Sequence, residues 1–206
     1  MAVNGDTGHA DRSGPRRSQA QRSAATREAL LSSARELFAE RGFAAAREDI
    51  VARAGVTRGA LYHHFTSKEK LFRAVVELLE EEMFERIASA AMSSEDPSEQ
   101  LRRGCGAFLD AAMDPAVRRI VLLDAPAVLG WQAWREIDAR YGLGLVIEGL
   151  NAVMAAGRIE RRPVEPLAHL LLAALNEAAM MVASADDPVA ARVVVGEAVD
   201  HFLAHL

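Results

Sequence analysis

Three Asp-Pro dipeptides, Asp96-Pro97, Asp114-Pro115 and Asp187-Pro188, constrain this chain more than any other feature. An aspartate that accepts the free N–H groups of a first turn, followed by a proline already set at helical φ, marks a helix start. At the first of them Glu99 adds the acid of a capping box. Apolar residues then recur at helical spacing, and β-branched runs are rare apart from Val193 to Val195. The pattern predicts helices over 97–113, 115–124, 127–157, 166–185 and 188–205. Gly130, Gly142, Gly144 and Gly149 predict that the third of these is kinked or split.

The first third follows the same grammar. Thr26 is placed to cap a first helix, with Glu28 near its positive end and Leu30, Ala34, Leu37 and Phe38 as its apolar stripe. Gly42 ends it. A short helix over 47–54 turns Ile50, Val51 and Ala54 inward, and Gly55 permits a tight turn. Thr57 caps a third helix to Phe65; Ser67 caps a long fourth that runs to about Ala91. The expected fold is therefore all-α, with about nine helices. A basic arm (1–24), rich in Gly, Ser and Arg and expected to be disordered, precedes a small three-helix domain (25–74). A long helix leads from there into a larger helical domain (75–206).

The overall charge of −5 hides an asymmetry. Residues 1–74 carry 13 Lys+Arg against 8 Asp+Glu; residues 75–206 carry 11 against 21. A basic front on an acidic body is the footprint of a chain that faces a polyanion with one end only. Arg12, Arg16, Arg17 and Arg22 make the arm cationic, suited to phosphates or a minor groove.

Several function classes fall away. One cysteine, Cys105, excludes an internal disulfide and a cysteine-based metal cluster. Phosphate loops, nucleophile motifs and metal-ligand spacings are missing from the sequence, so no catalytic residue, metal or cofactor is expected, and the chain is not expected to be an enzyme. Glu80, Glu81 and Glu82 read as a solvated charge run; Asp124, His169 and Glu177 are scattered. The longest apolar stretch, Leu167 to Leu175, is broken by His169 and followed by Asn176 and Glu177, so no membrane association is expected. The N-terminus has no apolar signal core, and the location expected is cytoplasmic.

The segment from Ile50 to Phe65 has the layout of a helix-turn-helix. At roughly 100° per residue, Leu61 and Phe65 anchor the second helix of the pair. Gly59 and Ala60 leave its outward face nearly bare, and Tyr62 and His63 flank that gap with polar tips. Thr57 and Arg58 stand at the helix's positive end, where phosphate is favoured, and Lys68 adds a cation at the start of the next helix. Adjacent His63 and His64 do not have the spacing of metal ligands on one helical face.

The run from Leu37 to Phe43 (LFAERGF), then Asp49 to Phe65 (DIVARAGVTRGALYHHF), then Ser67 to Leu71 (SKEKL) closely resembles the N-terminal domain of TetR-family regulators. The resemblance covers about residues 26–75. It implies that Thr57, Arg58, Gly59, Tyr62 and His63 touch bases or phosphates, that Lys68 binds phosphate, and that His64 packs and reaches phosphate. The family often has Thr at the start of the second helix; here Ala45-Ala46-Arg47 stands there, so Arg47 is the expected phosphate contact.

For the second domain the resemblance implies an effector pocket among the middle helices and a dimer through the last two. The residues agree. Leu167 to Val182 is apolar nearly all round, and the last helix carries Ala190, Val194, Val199, Phe202, Leu203 and Leu206. Two such helices per subunit suit a four-helix interface about a two-fold axis, with Leu171, Leu175, Val194, Val199 and Phe202 as its expected residues. The expected pocket residues are Phe108, Met113, Leu122, Trp131, Trp134, Asn176 and Met180, which suit a small apolar effector. The expected function is a ligand-responsive regulator, a repressor that binds a two-fold symmetric double-stranded DNA operator as a homodimer, nucleoid-associated when bound. The rival reading is a helical small-molecule binding protein without operator-specific DNA binding.

Overall fold

Ser18 opens the described part of the chain as a helix cap: its hydroxyl accepts from Gln21 N–H at 3.2 Å, and Gln21 Oε1 accepts from Ser18 N–H at 2.9 Å. The computed structural model describes residues 18–206; Arg12, Arg16 and Arg17 lie outside the described residues. This reciprocal cap starts α1 (Gln19–Arg41), so the helix begins eight positions before the start expected from a cap at Thr26.

 Residues 19–24, expected in the disordered arm, are thus helical, and Thr26 lies inside the helix and does not cap it. The missed signal was the capping box Ser18-x-x-Gln21.

A 3-10 turn, Gly42–Ala44, follows α1, with Gly42 at φ 64°. Next come α2 (Arg47–Ala54), α3 (Arg58–His64) and α4 (Lys68–Ala91). Leu30, Leu37, Phe38, Ile50, Leu61 and Phe72 are buried between them. Phe72 meets Phe38 and Phe43 edge-on, with ring centroids 5.1 and 5.2 Å apart, and this fixes the angle between α1 and α4.

The body comprises α5 (Pro97–Ala111), a π-helical segment (Val117–Asp124), α6 (Ala125–Leu129), α7 (Trp131–Ala155), α8 (Val164–Ser184) and α9 (Pro188–Leu203). All three Asp-Pro sites cap as expected: Asp96 accepts from Glu99 N–H, Asp114 from Ala116 and Val117 N–H, and Asp187 from Val189 and Ala190 N–H. The helix expected over 127–157 is split at Gly130, whose φ of 86° no other residue adopts comfortably. Among the described residues there are nine α-helices and no strand. The buried apolar side chains form one continuous cluster from Leu30 to Val195, and α4 contributes to it on both sides of residue 75.

Two sequence expectations need correction. The first is that no segment is apolar enough to span a bilayer: α8 is long and apolar enough by length and composition, with a mean hydropathy of 1.5 in its best window. Half of that window is buried, against α7, α9 and the π-helical segment, as in the core helix of a bundle. The second is the solvated glutamate run: Glu80 is 1% exposed, while both carboxylate oxygens of Glu82 accept from Nη1 of Arg35 on α1.

Candidate nucleic-acid interface and internal cavity

Gly55, in the left-handed region at φ 64° and ψ 29°, ends α2 and turns the chain into α3. Thr57 caps α3, its hydroxyl accepting from Ala60 N–H at 3.2 Å. Leu61 and Phe65 are buried beneath, so the helix is held by one face. The other presents Thr57, Arg58, Gly59, Tyr62 and His63 to solvent, with His64, Lys68 and Arg47 half-buried at the edges. A methyl group at Gly59 would meet only Thr57 Oγ1, at 3.9 Å, so the ridge there is bare backbone.

Tyr62 is flanked by two guanidinium groups. Arg58 lies 5.7 Å and Arg47 5.6 Å from its ring centroid, and Arg58 Nη2 donates to the Tyr62 hydroxyl at 3.5 Å. That hydrogen bond, with both positive charges, lowers the phenol's pKa; the same bond and the negative charge of the ionised phenol raise that of Arg58. Lys68 Nζ sits 4.4 Å from the Phe43 ring centroid, and partial burial lowers its pKa. Burial, and then the neighbouring His63 and Arg27, lower that of His64.

Pairing sorts the cations of this head. Arg35, Arg41, Arg53 and Arg73 are bound to Glu82, Asp49, Glu36 with Glu40, and Glu77. Arg27, Arg47, Arg58, Lys68 and Lys70 have no acidic partner among the described residues. Arg47, Arg58 and Lys68, the basic contacts expected in the helix-turn-helix, are therefore in the unpaired set. The sequence reading missed Arg27, whose guanidinium lies 5.5 Å from the Phe65 centroid, beside His64. Its position on α1, facing α3, was the available signal. At the start of α2, Ala46 occupies the cap position with no side-chain hydrogen bond.

The body encloses a cavity of about 370 Å³ between α4, α5, α7 and α8. Exposed Met92 and Glu148, with Gln100, rim one end; buried Phe84, Phe108, Leu172 and Leu175 close the other. The space exists because Ala88, Ala91, Gly104, Gly142, Gly149 and Ala152 are small. Of the seven expected pocket residues only Phe108 lines it. Trp131 falls in the exposed first turn of α7 because the helix breaks at Gly130, while Trp134 and Leu122 are sealed in the core. Met113 and Met180 are half-buried elsewhere, and Asn176 donates to Asp138 Oδ2 at 2.6 Å. Large side chains drew the sequence reading; a void is left by small ones.

The last two helices also depart from expectation. Leu171 and Leu175 are buried within the chain, and Val199 is half-buried. Val194 and Phe202 are exposed, as are Leu170 and Met181 of α8 and Val189 and Val193 of α9.

Comparison with known proteins adds to this geometry. Residues 30–75 match the family model for bacterial regulatory proteins of the tetR family, and residues 98–206 match that for tetracyclin repressor-like C-terminal domains. A TetR-family transcriptional regulator from Pectobacterium atrosepticum is 36% identical, with a TM-score of 0.81 over 92% of this chain and 97% of that one. The transcriptional activator FasR from Mycolicibacterium smegmatis is 37% identical over 39% of this chain. The regulator CymR from Pseudomonas putida is 34% identical over 55% of it. These matches span 37% and 59% of the lengths of those two relatives.

Proposed function

The chain belongs to the TetR family of transcriptional regulators, and on that premise we propose that it is a ligand-responsive repressor that grips a two-fold symmetric operator as a homodimer. The observation that carries the reading is the exposed ridge of α3, where bare backbone at Gly59 lies beside Tyr62 and two unpaired guanidinium groups. A helix placed by its buried face, with its N-terminus free, enters a major groove with base-reading side chains foremost. Arg58, Gly59, Tyr62 and His63 face the bases; Arg27, Arg47, Thr57, His64 and Lys68 hold phosphates.

The exposed apolar residues of α8 and α9 supply the dimer surface in this reading, because pairing removes them from water. A two-fold axis through it sets two heads about 34–36 Å apart, one turn of the duplex. The cavity takes the effector, and α4, which carries both cavity wall and head, transmits its presence as a shift between two arrangements. Repression needs no more than occupancy of the operator. The site of action is the cytoplasm, at the nucleoid when bound.

Selection from a random DNA pool tests the reading. The expected product is an inverted repeat, with Arg58→Ala and Tyr62→Ala each losing preference at matched positions in both halves. Recovery of no enriched sequence overturns it.

A further inference from the structure

Four side chains with polar atoms lie in the core within one or two helical turns of residues that line the cavity. Glu80 precedes the cavity residue Phe84 by four positions on α4, and Asp138 precedes Gly142 by four on α7. Asn176 follows Leu172 by four on α8. Trp134 stands one turn before Asp138. Glu80, Asp138, Asn176 and Trp134 are 1%, 2%, 3% and 1% exposed. Burial so deep is tolerated only where hydrogen bonds are complete. Here Glu80 Oε2, Asn176 Oδ1 and Trp134 Nε1 have no partner among the described residues. The one bond in the group is that from Asn176 to Asp138. No ion pair reaches either acid among the described residues; Arg135 acts on Asp138 only as a more distant charge. Burial and the nearness of Asp138 raise the Glu80 pKa well above that of an ordinary carboxyl. Two buried acids without a cation, beside two unpartnered acceptor atoms, are an incomplete site.

The layer between these groups and the cavity is thin. A methyl group built on Gly142 would stand 2.6 Å from Phe84 Cζ and 3.3 Å from Leu172 Cδ1, so both side chains rest on bare backbone there. Phe84, which lines the cavity one turn after Glu80 on α4, is the side chain that must turn aside for a cavity ligand to reach the acids.

The geometry points to an effector of a definite class: an organic monocation, a protonated amine on an apolar body, whose ammonium group lies between Glu80 and Asp138 and donates to Asn176 Oδ1. This rests on the reading of the cavity as the effector site and narrows the expectation of an apolar effector. An ammonium supplies three donors and the missing positive charge; a neutral apolar ligand leaves all the unpartnered atoms as they are.

The test uses three probes with one body, 4-phenylbutylamine, 4-phenylbutan-1-ol and 4-phenylbutyrate, titrated calorimetrically into the full chain and into Glu80→Gln and Asp138→Asn. The amine is expected to bind at least tenfold tighter than the alcohol, and the acid weakest. Each variant is expected to lose the amine preference, with a parent-like circular dichroism spectrum showing that it is folded. Equal binding of amine and alcohol, or an amine preference that survives in both variants, overturns the cationic head and leaves the cavity reading standing. Binding with the expected preference, but without any change in operator affinity, upholds the cation site and overturns effector control. Failure of all three probes to bind at millimolar concentration overturns both.

Discussion

The carboxylate of Asp124 accepts a hydrogen bond from the backbone N–H of Phe43 at 2.9 Å, joining positions 81 residues apart. Asp124 ends the π-helical segment of the body, and Phe43 lies in the 3-10 turn that feeds α2. Arg119 holds the same carboxylate. Beside α4, this is a second tie between head and body, and Gly42 makes it possible: a methyl group there would collide with both Arg119 and Asp124. Removing the acceptor in Asp124→Ala is expected to cost about 1–3 kcal/mol, with Asp124→Asn costing less because an acceptor remains. Chemical denaturation measures both. An Asp124→Ala protein as stable as the parent would show the tie to be incidental.

Two glycines of α7 are expected to respond in opposite senses to the same change. Gly142→Ala pushes on Phe84 and Leu172 and is expected to destabilise by about 1–3 kcal/mol while shrinking the cavity. Nothing lies within 4 Å of a methyl group at Gly144, where alanine is expected to stabilise by roughly 0.5–1 kcal/mol through helix propensity alone. Melting of the two variants side by side checks the sign of each.

The exposed and buried positions of the last two helices separate assembly from folding. Val194→Asp and Phe202→Asp are expected to yield folded monomers, read by light scattering and circular dichroism. Leu171→Ala is expected instead to lose about 2–5 kcal/mol of stability, because that side chain packs inside its own subunit. Dimers that persist in both aspartate variants would place the interface elsewhere.

Burial raises the Asp138 pKa to about 6 against the opposing pull of Asn176 and Arg135. A carboxyl whose pKa is raised on folding holds its proton longer in the native state than in the unfolded chain. Its contribution therefore falls as pH rises from about 4 to about 6, and the deficit persists above that. A shift of two units corresponds to roughly 3 kcal/mol. Glu80, also raised by burial and by Asp138, acts in the same sense. Surface acids such as Glu99, held at about 2 by Arg102 and Arg103, act in the other sense, so the quantity to measure is the difference between the parent and Asp138→Asn. That difference is expected to widen in favour of the variant between pH 4 and pH 6.5. A pH-independent difference would mean that Asp138 titrates normally.

Helix starts were legible because a cap is local: an aspartate, a proline and three N–H groups within four residues settle it, as at Asp96, Asp114 and Asp187. The reading ridge of α3 was legible for a related reason. Thr57, Gly59 and Tyr62 fall on the outward face once Leu61 and Phe65 are set inward, and the helical period does the rest. The start of α1 was equally local, but the Ser18 cap sat in a stretch whose composition suggested disorder.

What the sequence determined by itself was the helical grammar and the face of each helix that seeks cover, since both depend on residues within a few positions of one another. Tertiary structure decided which apolar face covers which. It turned Leu171 and Leu175 inward, left Val194 and Phe202 outside, opened the cavity against small residues on three helices, and drew Glu80 and Asp138 together from distant helices. Voids and buried charge pairs are properties of several surfaces meeting at once, and no periodicity along one segment encodes them.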